Sequence, residues 1–236
     1  LRTNPRLRQG DWVTLPEVSS ALRQALVFSE DRRFYEHAGV DWQAVAAAAW
    51  GNLWNTRTRG ASTITMQLAG LLDTELRAGP GGRNWTQKAG QAVWAQWLER
   101  RWRKDQILEA YLNRVPFRGE LVGIDALSRS LFGKAAHGLD DDEAAITAAL
   151  VRAPNARPEQ VAQRACGVQQ ALRRAAGQAV PDCLGIRLLT DAALRSRRWA
   201  PDDGVAPHAA RRALAQWQAQ QGAQTPGHAQ PADGFS

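Results

Sequence analysis

The stretch Glu30-Asp31-Arg32-Arg33-Phe34-Tyr35-Glu36-His37-Ala38-Gly39-Val40-Asp41 gathers carboxylates, cations, two aromatics and one of the chain's four histidines into twelve residues. It follows an apolar segment that could hold those groups still, and a solvated turn would not ordinarily carry such aromatics. A carboxylate at the lip of a cleft can take the proton of a hydroxyl, while nearby Lys and Arg stabilise charge on a departing group. Glu30 is read as that general base. The competing reading is a helix-end carboxylate paired with Arg33 at i+3. A second polar run, Gly60-Ala61-Ser62-Thr63-Ile64-Thr65-Met66-Gln67, places hydroxyls and an amide at an expected helix start, where N–H groups favour anionic oxygens. Capping by Ser62 or Thr63 would explain the same residues without any ligand.

Such groups need a scaffold, and the composition supplies one. At 236 residues and 44 % hydrophobic, the chain can bury a genuine core. Thirty Lys and Arg against 23 Asp and Glu give +7, which points to anionic partners: a phosphorylated substrate, an acidic membrane surface or nucleic acid. Ten Trp against two Tyr is unusual, and Trp suits both a core and a membrane interface. The longest apolar run, Ala44 to Trp50, is far short of the roughly 18 to 20 residues of a spanning helix. There is neither an initiator Met nor a signal-peptide pattern, so Leu1 reads as the start of an excised or processed piece, and any anchor upstream would lie outside this sequence. Cys166 and Cys183 lack a C-x-x-C spacing or a nearby His, which argues against zinc. One disulfide in an oxidising compartment and two unpaired buried thiols both remain open.

The positioning elements follow from periodicity and caps. Thr14-Leu15-Pro16-Glu17 has capping-box spacing, and Val18, Leu22, Leu26 and Ser29 continue at helical spacing, so one helix should run into Glu30. Gly39 is a stop, and Asp41 caps a helix from Trp42 to about residue 55, with Trp42, Ala46, Trp50 and Trp54 on one face. A third helix runs through Leu68, Leu71 and Leu72, before the Gly and Pro cluster at 77–83 forms a mobile loop. Ala89, Val93 and Trp97 mark a face of a long helix from Trp85 to about Trp102. Asp105 caps the next helix, through Ile107, Leu108, Tyr111 and Leu112 to Asn113.

Beyond Pro116 and Gly119, a helix is expected from Gly123 to Leu131, then a turn at Phe132-Gly133-Lys134 with Lys134 solvated. Asp140 caps an Ala-rich helix to Arg152. Further helices are expected near 159–177, 190–198 and 208–221. No β-branched alternation of any length occurs, so the fold class is all-α. Residues 1–13 read as an entry segment, 14–221 as the domain, and 222–236 as a linker or disordered tail.

In this order, several stretches resemble the family 51 glycosyltransferases, the peptidoglycan polymerase domain of class A penicillin-binding proteins and monofunctional transglycosylases. Glu30-Asp31 with Phe34, His37 and Gly39 matches E-D-x-x-F-x-x-H-x-G. Gly60 with Ser62-Thr63-Ile64-Thr65 and Gln67 matches G-x-S-T-I-T-x-Q. Leu98-Glu99-Arg100-Arg101 running to Glu109-Ala110-Tyr111-Leu112-Asn113 is the third match. The last is Leu131-Phe132-Gly133-Lys134 followed by Asp142-Glu143-Ala144-Ala145 and Pro154. The resemblance spans about residues 15 to 165. Met66 and Asn113-Arg114-Val115-Pro116-Phe117 are most similar to the 1C subtype of penicillin-binding proteins. No S-x-x-K or K-T-G occurs, so the accompanying transpeptidase domain is expected to be absent, with the tail after 222 as the place where it would begin.

The resemblance implies a lysozyme-like multi-helix domain with a second small membrane-proximal lobe, working at the periplasmic face of a bacterial inner membrane. It implies lipid II and the nascent glycan strand as substrates, and an inverting attack that forms a β-1,4 bond. Glu30 would be the base. Asp31, Phe34, His37, Ser62, Thr63 and Gln67 would shape or contact the substrate, although His37 could equally be a helix C-terminal cation and Phe34 packing. Family members commonly carry R-K-x-x-E at the position of Gln87-Lys88-Ala89-Gly90-Gln91. Lys88 survives as the principal diphosphate cation, with Mg²⁺ as a possible helper. Gln87 and Gln91 replace the arginine and the acid, and an amide at 91 cannot exchange a proton, which puts in doubt any acid or metal-ligand duty at that catalytic position. Glu109 reads as structural.

Two other functions are consistent with parts of the pattern. Gln87 and Gln91 would suit a lipid II-binding scaffold, and a single catalytic Glu in a helical fold would suit a lysozyme-like lytic enzyme. A nucleic-acid binder would explain +7 but none of the motifs.

Overall fold

The computed structural model describes residues 8–53, 62–73 and 85–195. The loop expected at 77–83, the helix at 208–221 and the tail at 222–236 lie outside them, as does Trp54. Apart from one short strand pair, the described chain is all-α, as the absence of strand patterning predicts. That pair is β1 (Arg8–Gln9) with β2 (Leu121–Val122), parallel, in the register Arg8 to Leu121 and Gln9 to Val122.

The described part of the expected entry segment is firmly attached. Beyond β1, the Asp11 N–H donates to Asp125 Oδ2 at 3.1 Å, and Asn113 both accepts from Val13 N–H and donates to Val13 O at 2.8 Å. Glu109 accepts from the Trp12 indole at 2.9 Å and from Leu15 N–H at 2.8 Å, the structural role expected for it. These contacts pair backbone with distant side chains, so no periodicity in residues 8–13 could announce them.

The helix expected from Thr14 to Glu30 is divided. Glu17 accepts from the Thr14 N–H at 3.0 Å and from its hydroxyl at 2.7 Å, closing a 3-10 turn at Leu15–Glu17. Val18 is extended, and Ser19 then starts α1 (Ser20–Glu30) by accepting from Leu22 N–H at 3.1 Å. Two capping signals in series thus produce two elements, because Ser19 satisfies a fresh set of N–H groups.

The remaining described helices are α2 (Trp42–Leu53), α3 (Ile64–Leu72), α4 (Trp85–Glu99), α5 (Lys104–Arg114), α6 (Ile124–Phe132), α7 (Asp141–Arg152), α8 (Pro158–Ala175) and α9 (Leu184–Arg195). Arg103, not Asp105, is the N-cap of α5, with Asp105 in its first turn. The α7 cap is as expected: Asp140 accepts from the Asp142 and Glu143 N–H groups, while Glu143 returns a bond to Asp140 N–H. Buried Glu143 also accepts from Lys134, so Lys134 is an ion-paired turn residue rather than a freely solvated one, and that bond holds its ammonium above the usual lysine range.

Packing sorts the helices into two groups. In one, α7 lies against α1, α8 and α9; in the other, α3 lies against α4 and α5. Leu22, Leu26, Ile146 and Leu150 are fully buried in the first, each worth about 1.5 to 3 kcal/mol of transfer free energy. Cys166 on α8 is joined by a disulfide to Cys183, just ahead of α9. That settles the alternative the sequence left open and ties together two packed helices.

Gly39, at φ +86°, lets the loop after α1 lie on α4: a Cβ there would fall 2.7 Å from the Ala95 carbonyl carbon. Around this contact Val40, Met66 and Ala95 form a small core with Val45 and Ala92. The faces inferred from periodicity on α2 and α4 point elsewhere. Trp42 and Ala46 are exposed on α2, while α4 exposes Ala89, Val93 and Trp97 and buries Gln91, Ala95 and Leu98. The apolar stripe on α4 therefore faces outward, and the inward face is read from packing with Gly39 and Met66.

Candidate active site

A cleft of about 720 Å³ opens between the two helix groups, bounded by the end of α1, the start of α3, and the α7–α8 side. Glu30, the last residue of α1, stands in its wall. The Gln67 amide donates to Glu30 Oε2 at 3.1 Å, and the Tyr111 hydroxyl donates to Gln67 Oε1 at 2.8 Å. Glu30 Oε1 is buried and has no hydrogen-bond partner among the described residues. One carboxylate oxygen is thus anchored while the other keeps its acceptor capacity.

The alternative pairing of Glu30 with Arg33 is not formed. Arg33 turns instead to Asp41, donating Nε–H to Oδ2 at 3.0 Å and a second bond to Oδ1. Asp41 also accepts from Ala44 N–H at 2.8 Å, as the expected cap of α2. Burial pushes the Asp41 carboxyl up, but the Ala44 N–H and the Arg33 guanidinium outweigh it and hold the group below the ordinary aspartate range.

Asp31 works as a bracket. Its oxygens lie 3.0 Å from His37 Nε2, and Oδ2 accepts from the Ile64 N–H at 3.0 Å, so one carboxylate ties the loop after α1 to the start of α3. Thr63 is the cap of α3: its hydroxyl accepts from Met66 N–H at 3.1 Å and donates to Gly39 O at 2.6 Å. Helix-start N–H groups expected to be open to a ligand are therefore engaged at Ile64 and Met66. Phe34 is fully buried, with the Lys104 ammonium 4.6 Å from its ring centroid. That ammonium also donates to His37 O and to Glu99 at 2.6 Å each, and Glu99 accepts from Thr65 at 2.6 Å.

The structure brings together Glu30, Asp31, Ser62, Thr63 and Gln67 on the cleft wall, with His37 and Phe34 packed behind them. Lys88 and Gln91 lie on α4, outside the cleft lining, and Gln91 is 2 % exposed. The cations on the wall are Arg32, Arg33, Arg152 and Arg164. Arg33 is held by Asp41, and Arg32 lies over the Phe28 ring at 4.1 Å. Arg152 and Arg164 are exposed at the cleft and make no hydrogen bond or ion pair among the described residues. Sequence reasoning missed both as site residues, because they come from helices far along the chain and carry no local pattern.

For magnesium, this donor set offers little. Among the described residues no group of three or more His, Cys, Asp or Glu converges as a metal site. Asp31 and Asp41 are committed to His37, Arg33 and backbone N–H groups, and Gln91 is a buried amide. Mg²⁺ at a diphosphate is usually held by one or two carboxylates together with the phosphates and water, and of the cleft carboxylates named here it is Glu30 that keeps an oxygen without a partner among the described residues.

Comparison with known proteins converges on one family. The family model described as Transglycosylase matches residues 2–173. A biosynthetic peptidoglycan transglycosylase of Haemophilus influenzae is 38 % identical over 147 residues, covering 62 % of this chain and 58 % of the relative. Penicillin-binding protein 1C of Escherichia coli is 42 % identical over 155 residues, 65 % of this chain and 19 % of that longer protein. A biosynthetic peptidoglycan transglycosylase of Bdellovibrio bacteriovorus is 31 % identical over 180 residues, 76 % of this chain and 70 % of the relative. The chain thus matches 58 % of the Haemophilus protein's length and a smaller share of the penicillin-binding protein's.

Proposed function

Because the chain belongs to the Transglycosylase family, we propose that it is a peptidoglycan glycosyltransferase that polymerises lipid II. The 4-hydroxyl oxygen of an acceptor GlcNAc attacks the anomeric carbon of the lipid-linked glycan, and Glu30 Oε1 takes the hydroxyl proton. The bond from that carbon to the diphosphate oxygen breaks, the electron pair leaves with the polyprenyl diphosphate, and inversion gives the β-1,4 linkage. The observation that carries this reading is the asymmetry of Glu30, a residue of a cleft wall that also carries guanidinium groups: Oε2 is held by Gln67, while Oε1, buried just beneath the surface, has no partner among the described residues.

Arg152 and Arg164 are the cations in this cleft best placed by their lack of partners to hold the diphosphate charge, a duty the sequence pattern assigned chiefly to Lys88. Ser62 supplies polar contacts for sugar oxygens, Gln67 holds the Glu30 carboxylate, and Asp31, Phe34, His37 and Thr63 keep the wall in shape. No step requires protein-held Mg²⁺. We place the reaction at the periplasmic face of the inner membrane. No helix of the described residues is long and apolar enough to cross a membrane, and the exposed aromatics of α4 are suited to resting on its surface.

Incubation with labelled lipid II tests the proposal. Wild-type protein should form glycan chains, and Glu30→Gln should lower the rate by about 10²- to 10⁴-fold. Undiminished polymer from that variant would sink the mechanism. A second reading, a lipid II-binding scaffold, is favoured by the amide at Gln91. Polymer from Gln91→Glu but none from wild type would establish it instead. Clearing of purified sacculi would point to lysis.

A further inference from the structure

Tyr111 lies on α5, fully buried, and reaches across to α3 with its hydroxyl. The amide it meets, Gln67, has one oxygen and one nitrogen, and each faces a different partner. Ionised Glu30 can only accept hydrogen bonds, so the amide atom 3.1 Å from Oε2 has to be the nitrogen. The amide oxygen then faces Tyr111 at 2.8 Å, and the phenol has to donate. A reversed amide would set an oxygen against the carboxylate, leaving Oε2 without a donor and the phenol as acceptor rather than donor. Neither arrangement of Glu30 is equivalent for chemistry, because the bond to Oε2 is what fixes Oε1 as the oxygen without a partner.

We propose that Tyr111 is a positioning residue for the glycosyl transfer: by donating to Gln67 Oε1 it fixes the orientation of the Gln67 amide, which in turn fixes the Glu30 carboxylate with Oε1 toward the acceptor hydroxyl. The proposal rests on the glycosyltransferase reading. Tyr111 itself touches no substrate. Its hydroxyl acts two bonds away from the proton transfer, through a hydrogen-bonded chain running from α5 through α3 to the end of α1. A base must sit within hydrogen-bond reach of the proton it takes, and a carboxylate free to rotate spends part of its time aimed wrongly.

The test is a double-mutant cycle on polymerisation of labelled lipid II by Tyr111→Phe, Gln67→Met and the double variant. Tyr111→Phe should lower kcat by about tenfold, the scale of one lost orienting hydrogen bond, with KM within about twofold of wild type. Gln67→Met should cost at least as much, and adding Tyr111→Phe to it should lower kcat no further, since the proposed route from the hydroxyl to Glu30 runs through the amide. A Tyr111→Phe enzyme with unchanged kcat, a loss confined to KM, or strictly additive losses would each overturn the proposal. If Tyr111→Phe does not fold, Gln67→Met decides: full kcat there overturns it, and a kcat loss at constant KM supports it. Failure of the wild type to polymerise lipid II would reject the underlying activity before the cycle begins, so the two failures are separable.

Discussion

Glu30 and Asp31 are adjacent carboxylates with opposite assignments, and the difference comes from their partners. Glu30, in the cleft wall, keeps a buried oxygen without a partner among the described residues, whereas Asp31 is spent on His37 and the Ile64 N–H. Their variants should separate accordingly. Asp31→Ala strands a buried N–H and a buried imidazole, at a cost of about 1 to 3 kcal/mol for each group left unsatisfied. Urea unfolding should show that loss, with activity falling because the cleft wall loosens. Glu30→Gln should unfold within about 1 kcal/mol of wild type, having removed a charge from a group that makes one bond to the fold. An Asp31→Ala protein as stable as wild type, with only KM raised, would return Asp31 to direct substrate contact. Glu30 was legible in the sequence as the expected base, and Asp31 as a neighbouring substrate contact. That Asp31 is instead spent on the fold was not legible, because it depends on α3, more than thirty residues away, arriving with a backbone N–H for Asp31 and an amide for Glu30.

At the scale of the elements, Asp41 joins two tasks, capping α2 and holding Arg33 away from Glu30. A carboxyl held below its ordinary range gives stability that is present above the unfolded value, near 4, and lost as pH falls through the lower folded value. Asp41→Ala should therefore cost about 1 kcal/mol at pH 7, and the gap from wild type should narrow as acid unfolding is followed below about pH 4. A gap that stays constant through that range would mean that packing, not charge, is what Asp41 supplies. Caps were readable in part: Asp41 and Asp140 start helices where local spacing places them, and Thr63 takes the α3 cap that spacing left between it and Ser62, whereas Asp105 falls in the first turn of α5 behind Arg103. Faces were harder. Ala89, Val93 and Trp97 have helical spacing and yet look outward, since periodicity gives a stripe but not the direction in which the rest of the protein lies. The buried face of α4 is set by a glycine, Gly39, whose missing side chain admits the helix backbone.

Over the whole molecule, the membrane surface proposed as the working place of this chain would account for two properties read from composition. The net charge of +7 favours an anionic surface, and several of the ten tryptophans are exposed, which a core role would not predict. On α4, Trp94 and Trp97 pack edge to face with ring centroids 5.2 Å apart, and the Arg101 guanidinium lies 4.5 Å from the Trp97 centroid. Val93 is 68 % exposed beside them, and Leu72 on α3 is 41 % exposed at a shallow hollow shared with Trp94 and Leu98. Apolar rings with a cation at their edge match a headgroup boundary, where the rings meet acyl chain and the guanidinium meets phosphate. Sedimentation with vesicles containing anionic lipid should retain the wild type, and Trp94→Ala with Trp97→Ala should weaken binding severalfold while leaving thermal unfolding within a few degrees, because neither ring is buried. Raising salt should loosen the wild type as well, by screening the charge contribution over a Debye length of about 8 to 10 Å. If the double variant binds as tightly as wild type while salt alone releases both, the surface charge acts without the aromatic face, and α4 is turned toward something other than lipid.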